Sequence, residues 1–438
     1  MRNIFTITVL ILLGICFTSC KEDNPVIPPV PAPPKAVNLG LVDVSCTEAF
    51  IKVAAADSLL PLSISLMKDD NSILSFILTK TDTVVIDTTL EPDQIYSYQT
   101  IETINGKEEK SDTLQVKSLN ITSNDFTWQT FTFGDPIYGS SNLNDVAIID
   151  ENNIWAVGEI YNDTTGLLFN AIHWDGNSWE LKRITINFRG NNITPALNGI
   201  FAFSSTQIWL VGGLAIYGDG ENWTPYDVRQ ITGYDSLSFT KCWGSSYDNM
   251  YYSGRSGSLC RYHNGTWDKI ESGTTTNIND IWGAYDGSND TQSVLAVASN
   301  ILHQGDYGLF SISNGNANDT LNWPYSDWLK GVWFKNQYSP VYICGSGVKM
   351  YKNNIWSEIS LPNYFTEAIR GSDYNNIFVV GDFGTAAHFN GISWQTVNEL
   401  FGLGKFMGVS AKGNLVAICG YSSVGGMVGS AVVVFGKK

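Results

Sequence analysis

Three carboxylates recur where a repeated strand opens: Asp145 in Leu143-Asn144-Asp145-Val146-Ala147, Asp280 in Ile278-Asn279-Asp280-Ile281-Trp282, and Glu367 in Phe365-Thr366-Glu367-Ala368-Ile369. Carboxyl groups that converge on one cleft can divide into a proton donor and a base or nucleophile, the arrangement that breaks glycosidic bonds. The aligned segments place Gly199, Gly331, Gly408 and Lys241 at the same position. A position that takes glycine, lysine or aspartate reads as a solvated rim of charge near a channel mouth. Asp145, Lys241, Asp280 and Glu367 are therefore candidate ligand contacts, and no residue is assigned to catalysis.

Other reactive groups point the same way. His173, His263, His303 and His388 fall at no metal-ligand spacing. His173 and His388 share one repeat position, two residues before Asp175 and Asn390, which marks a structural role. Nucleophile elbows, phosphate loops and paired-cysteine metal motifs are absent, so neither metal nor cofactor is expected. Cys344 and Cys419 occupy the slot of Val157, Val211 and Val380, and Cys242 that of Val146 and Ile281, as small core hydrophobes do. Cys260 lies two strands from Cys242, about 9.6 Å away, too far for a disulfide. No disulfide is expected.

A formal charge of −16 opposes the phosphate neutralisation that nucleic-acid binding requires. With 43% apolar residues over 438 positions, the chain can form two cores.

The elements that position these residues come from a sevenfold repeat. Besides the segments above, the first halves include Leu197 to Phe201, Phe239 to Trp243, Leu329 to Trp333 and Phe406 to Ser410. Each is followed by an apolar run closed by a small residue, as in Ile154-Trp155-Ala156-Val157-Gly158 or Ile377 to Gly381. Units of roughly 40 to 50 residues made of short strands predict radially arranged blades. Trp174-Asp175-Gly176-Asn177-Ser178-Trp179, Gly218 to Trp223, His263-Asn264-Gly265-Thr266-Trp267 and Phe389 to Trp394 supply hairpins from third to fourth strand, read as type I′ turns. The tryptophans then pair with Ile172, Ile216 or Tyr262 and wedge between blades. Unit four lacks the short turn, and Ser313 to Asp319 reads as an insertion.

The last unit ends after three strands. Phe126-Thr127-Trp128-Gln129-Thr130-Phe131 matches Ile392-Ser393-Trp394-Gln395-Thr396-Val397, so a strand near residues 126–133 is expected to close the ring. The reading is all-β: a β-sandwich followed by a seven-bladed β-propeller closed by an N-terminal strand. Long loops on one propeller face add Arg189, Tyr226, Asp227, Arg229, Tyr234, Arg255 and Asp382 as candidate ligand contacts.

These repeats resemble bacterial propeller units of the "VWAVG…DGxxW" kind, related in look to Asp-box and kelch repeats, over about residues 126–435. In Trp174-Asp175-Gly176 the serine that precedes a true Asp-box is absent, so no glycosidase residues are carried over. The resemblance implies fold; propellers of this kind serve binding, scaffolding and catalysis alike.

Residues 1–19 read as a signal peptide, with Arg2 before the apolar run Ile4 to Phe17. Phe17-Thr18-Ser19-Cys20 resembles a bacterial lipobox, which implies lipidation of Cys20. Lys21-Glu22-Asp23 resembles the export tag of surface lipoproteins in Bacteroidota and implies the outer face of the outer membrane. Residues 20–35 hold six prolines and form a stiff tether. Residues 36–118 read as a sandwich in which Leu90-Glu91-Pro92 and Tyr96-Ser97-Tyr98 resemble the fibronectin type III tyrosine corner. The propeller takes residues 119–438. The chain is expected to be a monomeric surface lipoprotein that binds glycan or protein without catalysis, touching the membrane through its lipid alone. The alternative is a glycoside hydrolase or lyase on an Asp-box-like propeller.

Overall fold

The computed structural model describes residues 35–134, 140–162, 166–285, 292–300, 306–313, 315–319, 323–424 and 427–438. Cys20, the signal segment and His303 lie outside them.

Two facing sheets form the N-terminal unit. Val37–Val44, Ala49–Ala55 and Asp82–Asp87 pair in that order. Asn71–Leu78, Leu62–Lys68, Ile95–Ile104 and Lys107–Lys110 make the other sheet, with Leu114–Lys117 also on Ile95–Ile104. Alternate residues Val37, Ile51, Val53, Ile64, Leu66 and Val116 meet between them, as period-two strands require. Asn105 and Gly106, both at positive φ, turn the hairpin between Ile104 and Lys107. At the sheet crossing the Tyr96 hydroxyl accepts from the Glu91 amide at 2.7 Å. The buried Tyr98 hydroxyl donates to Asp87 at 2.6 Å.

Seven four-stranded antiparallel sheets follow among the described residues. In order they span 142–182, 199–226, 239–269, 278–319, 329–359 and 366–396, and the seventh combines 405–437 with Thr127–Phe133. Their innermost strands contact one another in cyclic order, the last against the first. The closing strand runs beside Ala431 to Lys437 in unbroken register, Phe133 opposite Ala431 and Thr127 opposite Lys437. Trp128 packs over Gly436, where a Cβ would meet its ring at 2.6 Å.

The hairpin turns divide into two kinds. Asn264-Gly265 and Asn353-Asn354 are two-residue turns with both residues at positive φ, as expected. In three other units the acidic or amide residue caps the turn instead: Asp175, Asp219 and Asn390 each accept two backbone amides through one side-chain oxygen. These loops hold four residues, so Trp179 pairs with Trp174 and Trp223 with Gly218, two residues beyond the expected Ile172 and Ile216. Trp267 does pair with Tyr262. In unit four Ser313 pairs with Asn316 and Asn316–Asp319 is the fourth strand, so the segment read as an insertion belongs to the sheet. The tryptophans do lie between sheets: Trp179 meets Phe131 and Phe133, and Trp223 meets Trp155.

The repeat-position histidines are structural. His173 stacks on Trp155 and His388 on Phe378, and each is within 3.0 Å of an asparagine, Asn153 or Asn376. Burial pushes the His388 imidazole down to about 3. All five described cysteines are buried thiols outside any disulfide.

The small domain sits against units five and six. Lys335 bridges Asp43 (2.9 Å) and Asp373 (2.8 Å), Phe50 stacks on Tyr374 at 5.9 Å, and Lys352 pairs with Glu48. The connecting chain is pinned as well: Asn375 donates to the Asn120 carbonyl, and the Thr122 amide donates to Asn390.

Candidate functional site

In six of the seven sheets the first two strands break register at the same place, just after the first strand opens. Asn144, Thr240, Asn279, Lys330, Glu367 and Met407 have no cross-strand partner. A bulge of this kind re-aims the side chain that falls out of the ladder. All six, together with Asn198 of unit two, line a cavity of about 190 Å³ at the ring axis. Asn144 and Asn279 also donate to the first carbonyls of the next units, Leu197 and Leu329, both at 2.8 Å.

The register corrects one expectation. Gly381 pairs with Thr366, as Gly158 pairs with Leu143, so Glu367 corresponds to Asn144 and Ala368 to Asp145. Glu367 does not share the position of Asp145 and Asp280. The same shift puts Arg370 opposite Phe378, in the place of Trp243, Trp282 and Trp333 in other units. Phe365-Thr366 misled the alignment because the hydrophobic residue precedes the strand by one position.

Around the axis each carboxylate faces cations. Asp145 reaches across unit two to Lys241 at 2.8 Å, with Gly199 beneath it. Asp280 reaches across unit five to Arg370 in a bidentate pair at 2.7 and 2.8 Å, with Gly331 beneath it. The two arrangements repeat one design: glycine in the skipped unit leaves room for a span from its neighbours. Arg370 also lies over the Trp282 ring at 4.6 Å and donates to the Val332 and Ile369 carbonyls. Glu367 meets Lys330 at 3.1 Å and Lys405 at 2.5 Å, and Lys405 continues to Asp382 at 3.0 Å. Burial opposes ionisation of Glu367, yet Lys330 and Lys405 outweigh it and hold the carboxyl below its ordinary value. For Arg370 burial likewise works against the charge, and Asp280 more than restores it.

Glycoside cleavage needs one carboxyl that stays protonated near neutrality. Glu367 is displaced in the opposite direction, and Asp145 and Asp280 each hold a cation. The arrangement is suited to binding: a rigid floor of fixed charges beneath asparagine amides. Arg255, at the rim, is exposed, and no carboxylate pairs with it among the described residues.

Five expected contacts therefore gather here: Asp145, Lys241, Arg255, Asp280 and Glu367 line the cavity, and Asp382 joins through Lys405. The others lie elsewhere. Arg189 and Asp227 bind each other at 2.7 Å, and Asp227 caps the short helix Val228–Thr232. Arg229 donates to the Leu237 carbonyl. Tyr226 is a core aromatic among Trp209, Tyr262 and Trp267, and burial pushes its hydroxyl up to about 12. Tyr234 carries Lys269 over its ring. Sequence reasoning missed Arg370, Lys330, Lys405 and the asparagines. Alignment on the closing glycines Gly158 and Gly381, rather than on the leading hydrophobics, would have found Arg370.

No family model matches the chain, and no curated protein does. Among solved structures, one described as "YCF48 bound to D1 peptide" aligns with a TM-score of 0.52 and 14% identity, covering 73% of this chain and 100% of that one. Another, Sqt1 of Saccharomyces cerevisiae, aligns with a TM-score of 0.40 and 8% identity over 78% of this chain and 92% of that one. The chain has a β-propeller-like fold.

Proposed function

We propose that this chain is a non-enzymatic, surface-anchored binding module whose axial cavity receives a segment of a protein partner. On this reading the seven sheets are the blades of a seven-bladed propeller, carried on a fibronectin type III-like domain. Lipid on Cys20 and the proline-rich tether hold both at the outer membrane.

The observation that carries the reading is the axial cavity. Six units contribute their out-of-register residue to it and unit two contributes Asn198, while Asp145, Asp280 and Glu367 are each held by a cation. Support for the small domain comes from its sheet order and from the Tyr96–Glu91 bond at the crossing. Support for a peptide-like ligand comes from the similar solved structure, described with a peptide bound. The unpaired Arg255 at the rim favours a segment bearing a carboxylate.

Photo-crosslinking from a reactive group installed at Asn277, on the cavity rim, tests the assignment on intact cells. A single protein adduct is expected, reduced by Arg255→Glu and unaffected by Arg189→Ala. An adduct pattern that ignores Arg255→Glu would remove the axial site. Anchoring is checked separately: Cys20→Ala is expected to shift the chain from the membrane to the soluble fraction.

A further inference from the structure

A second cavity, about 370 Å³, opens on the opposite face of the ring, between units five and six and the small domain. Its ring-side wall is aromatic. Tyr342, Phe389 and Trp394 lie with centroids 5.4 to 6.5 Å apart. The small domain supplies Glu48, fixed by a turn in which the Ser45 hydroxyl accepts from the Thr47 and Glu48 amides. Neither domain makes the cleft alone. Their separation is set where Gly391 passes Cys46, since a Cβ there would meet the thiol sulfur at 2.4 Å.

Glu48 is the informative group. Its side chain is 7% exposed, and Lys352 Nζ lies 2.8 Å from Oε1. The ammonium thus holds the buried Oε1, and the pair as a whole lines the cleft. An ion pair at a cleft wall keeps unused donors and lone pairs, which a ligand that displaces water has to meet. Junctions between domains that combine aromatic faces with a few convergent polar groups are where small ligands bind.

The wall also selects the ligand class. A hydrocarbon would desolvate the Glu48–Lys352 pair without meeting its remaining hydrogen-bonding capacity, and an organic cation would compete with Lys352 for the carboxylate. A sugar ring answers both demands: its C–H face lies on Trp394 and Phe389, one hydroxyl donates to Glu48, and another accepts from Lys352. We propose that the cleft between the small domain and units five and six is a glycan subsite for one pyranose ring. It is separate from the axial cavity, so either assignment can fail while the other stands.

Saturation-transfer NMR on the full mature chain, held in a zwitterionic detergent free of sugar, tests it. The probes are millimolar methyl glycosides of glucose, mannose, galactose and N-acetylglucosamine. Transfer to the ring protons of at least one glycoside is expected, lost in Glu48→Met and in Thr47→Trp, which fills the cleft, and retained in Arg255→Glu. Thermal melts confirm that each variant is folded. No transfer to any glycoside, or transfer equal in wild type and both cleft variants, overturns the proposal.

Discussion

At the end of the ring that meets the small domain, Lys335 lies between Asp43 and Asp373, and Phe50 covers Tyr374. At the other end, Asp145–Lys241, Asp280–Arg370 and Glu367–Lys405 surround a cavity that stays open. Both ends therefore consist of paired charges over aromatic rings, and what separates them is what lies against them. Where a second domain docks, the pairs act as cohesion between two bodies, although Lys335 and Asp373 stay partly exposed. Around the axis, where nothing docks, the carboxylates Asp280 and Glu367 are the more deeply buried, and the pairs fix the walls of an open cavity. Paired charge in a sequence thus says little about use until the tertiary contacts are known.

The largest expected effect tests whether ring closure or docking matters more. A chain beginning at Gly134 loses the strand Thr127–Phe133 and exposes Ala431 to Phe435 as an apolar edge, so it is expected to aggregate. A chain beginning at Asn120 keeps closure and loses Asp43, Glu48 and Phe50. It is expected to unfold cooperatively, at a lower temperature than the whole chain. Light scattering and thermal melts compare the two, and equal behaviour would mean that docking is as indispensable as closure.

Next is the axial clamp. Arg370→Met leaves Asp280 buried with its charge uncompensated and is expected to cost about 3–5 kcal/mol in denaturant unfolding. Adding Asp280→Asn is expected to recover most of that loss. A double variant no more stable than the single one would show that Arg370 acts through packing on Trp282 instead.

At the docked end, Lys335→Met removes a cation shared by two carboxylates and is expected to cost about 1–3 kcal/mol, less than the axial clamp because water reaches it more easily. A larger loss than that of Arg370→Met would reverse the comparison.

Acid resolves a smaller term. Because the folded pKa of Glu367 lies below its ordinary 4.5, its stabilisation is complete above that value and disappears as pH falls through the folded pKa. Between about pH 5 and about pH 3, wild type is expected to lose more stability than Glu367→Gln. Parallel melting-temperature profiles would refute this contribution. The smallest effect belongs to the exposed Arg189–Asp227 pair, where Arg189→Ala is expected to leave the melting temperature unchanged.

Much of this architecture was legible in the chain. The sevenfold alternation, the closing small residues and the match between Trp128 and Trp394 suffice to place the closing strand beside Ala431–Phe435. Asp145, Lys241 and Asp280 were legible as neighbours of the axis for the same reason: a repeat fixes which side chain each innermost strand turns inward. Glu367 was misplaced because one slipped residue in unit six is invisible to hydrophobic pattern, and a slip of one moves every side chain to the other face. The turns at Asp175, Asp219 and Asn390 were misjudged because Asp-Gly and Asn-Gly serve a two-residue turn and a capped four-residue turn alike.

What the sequence alone determined was the set of strands, their number per unit and the means of closing the ring. These follow from local periodicity and turn chemistry, which operate between near neighbours. The tertiary structure decided which charges meet. Asp280 and Arg370 lie ninety positions apart and touch only because the ring brings units four and six together across a glycine in unit five. Glu48 and Trp394 share a cleft only because the small domain docks on units five and six. Contacts of that range depend on closure and docking, which no local pattern encodes.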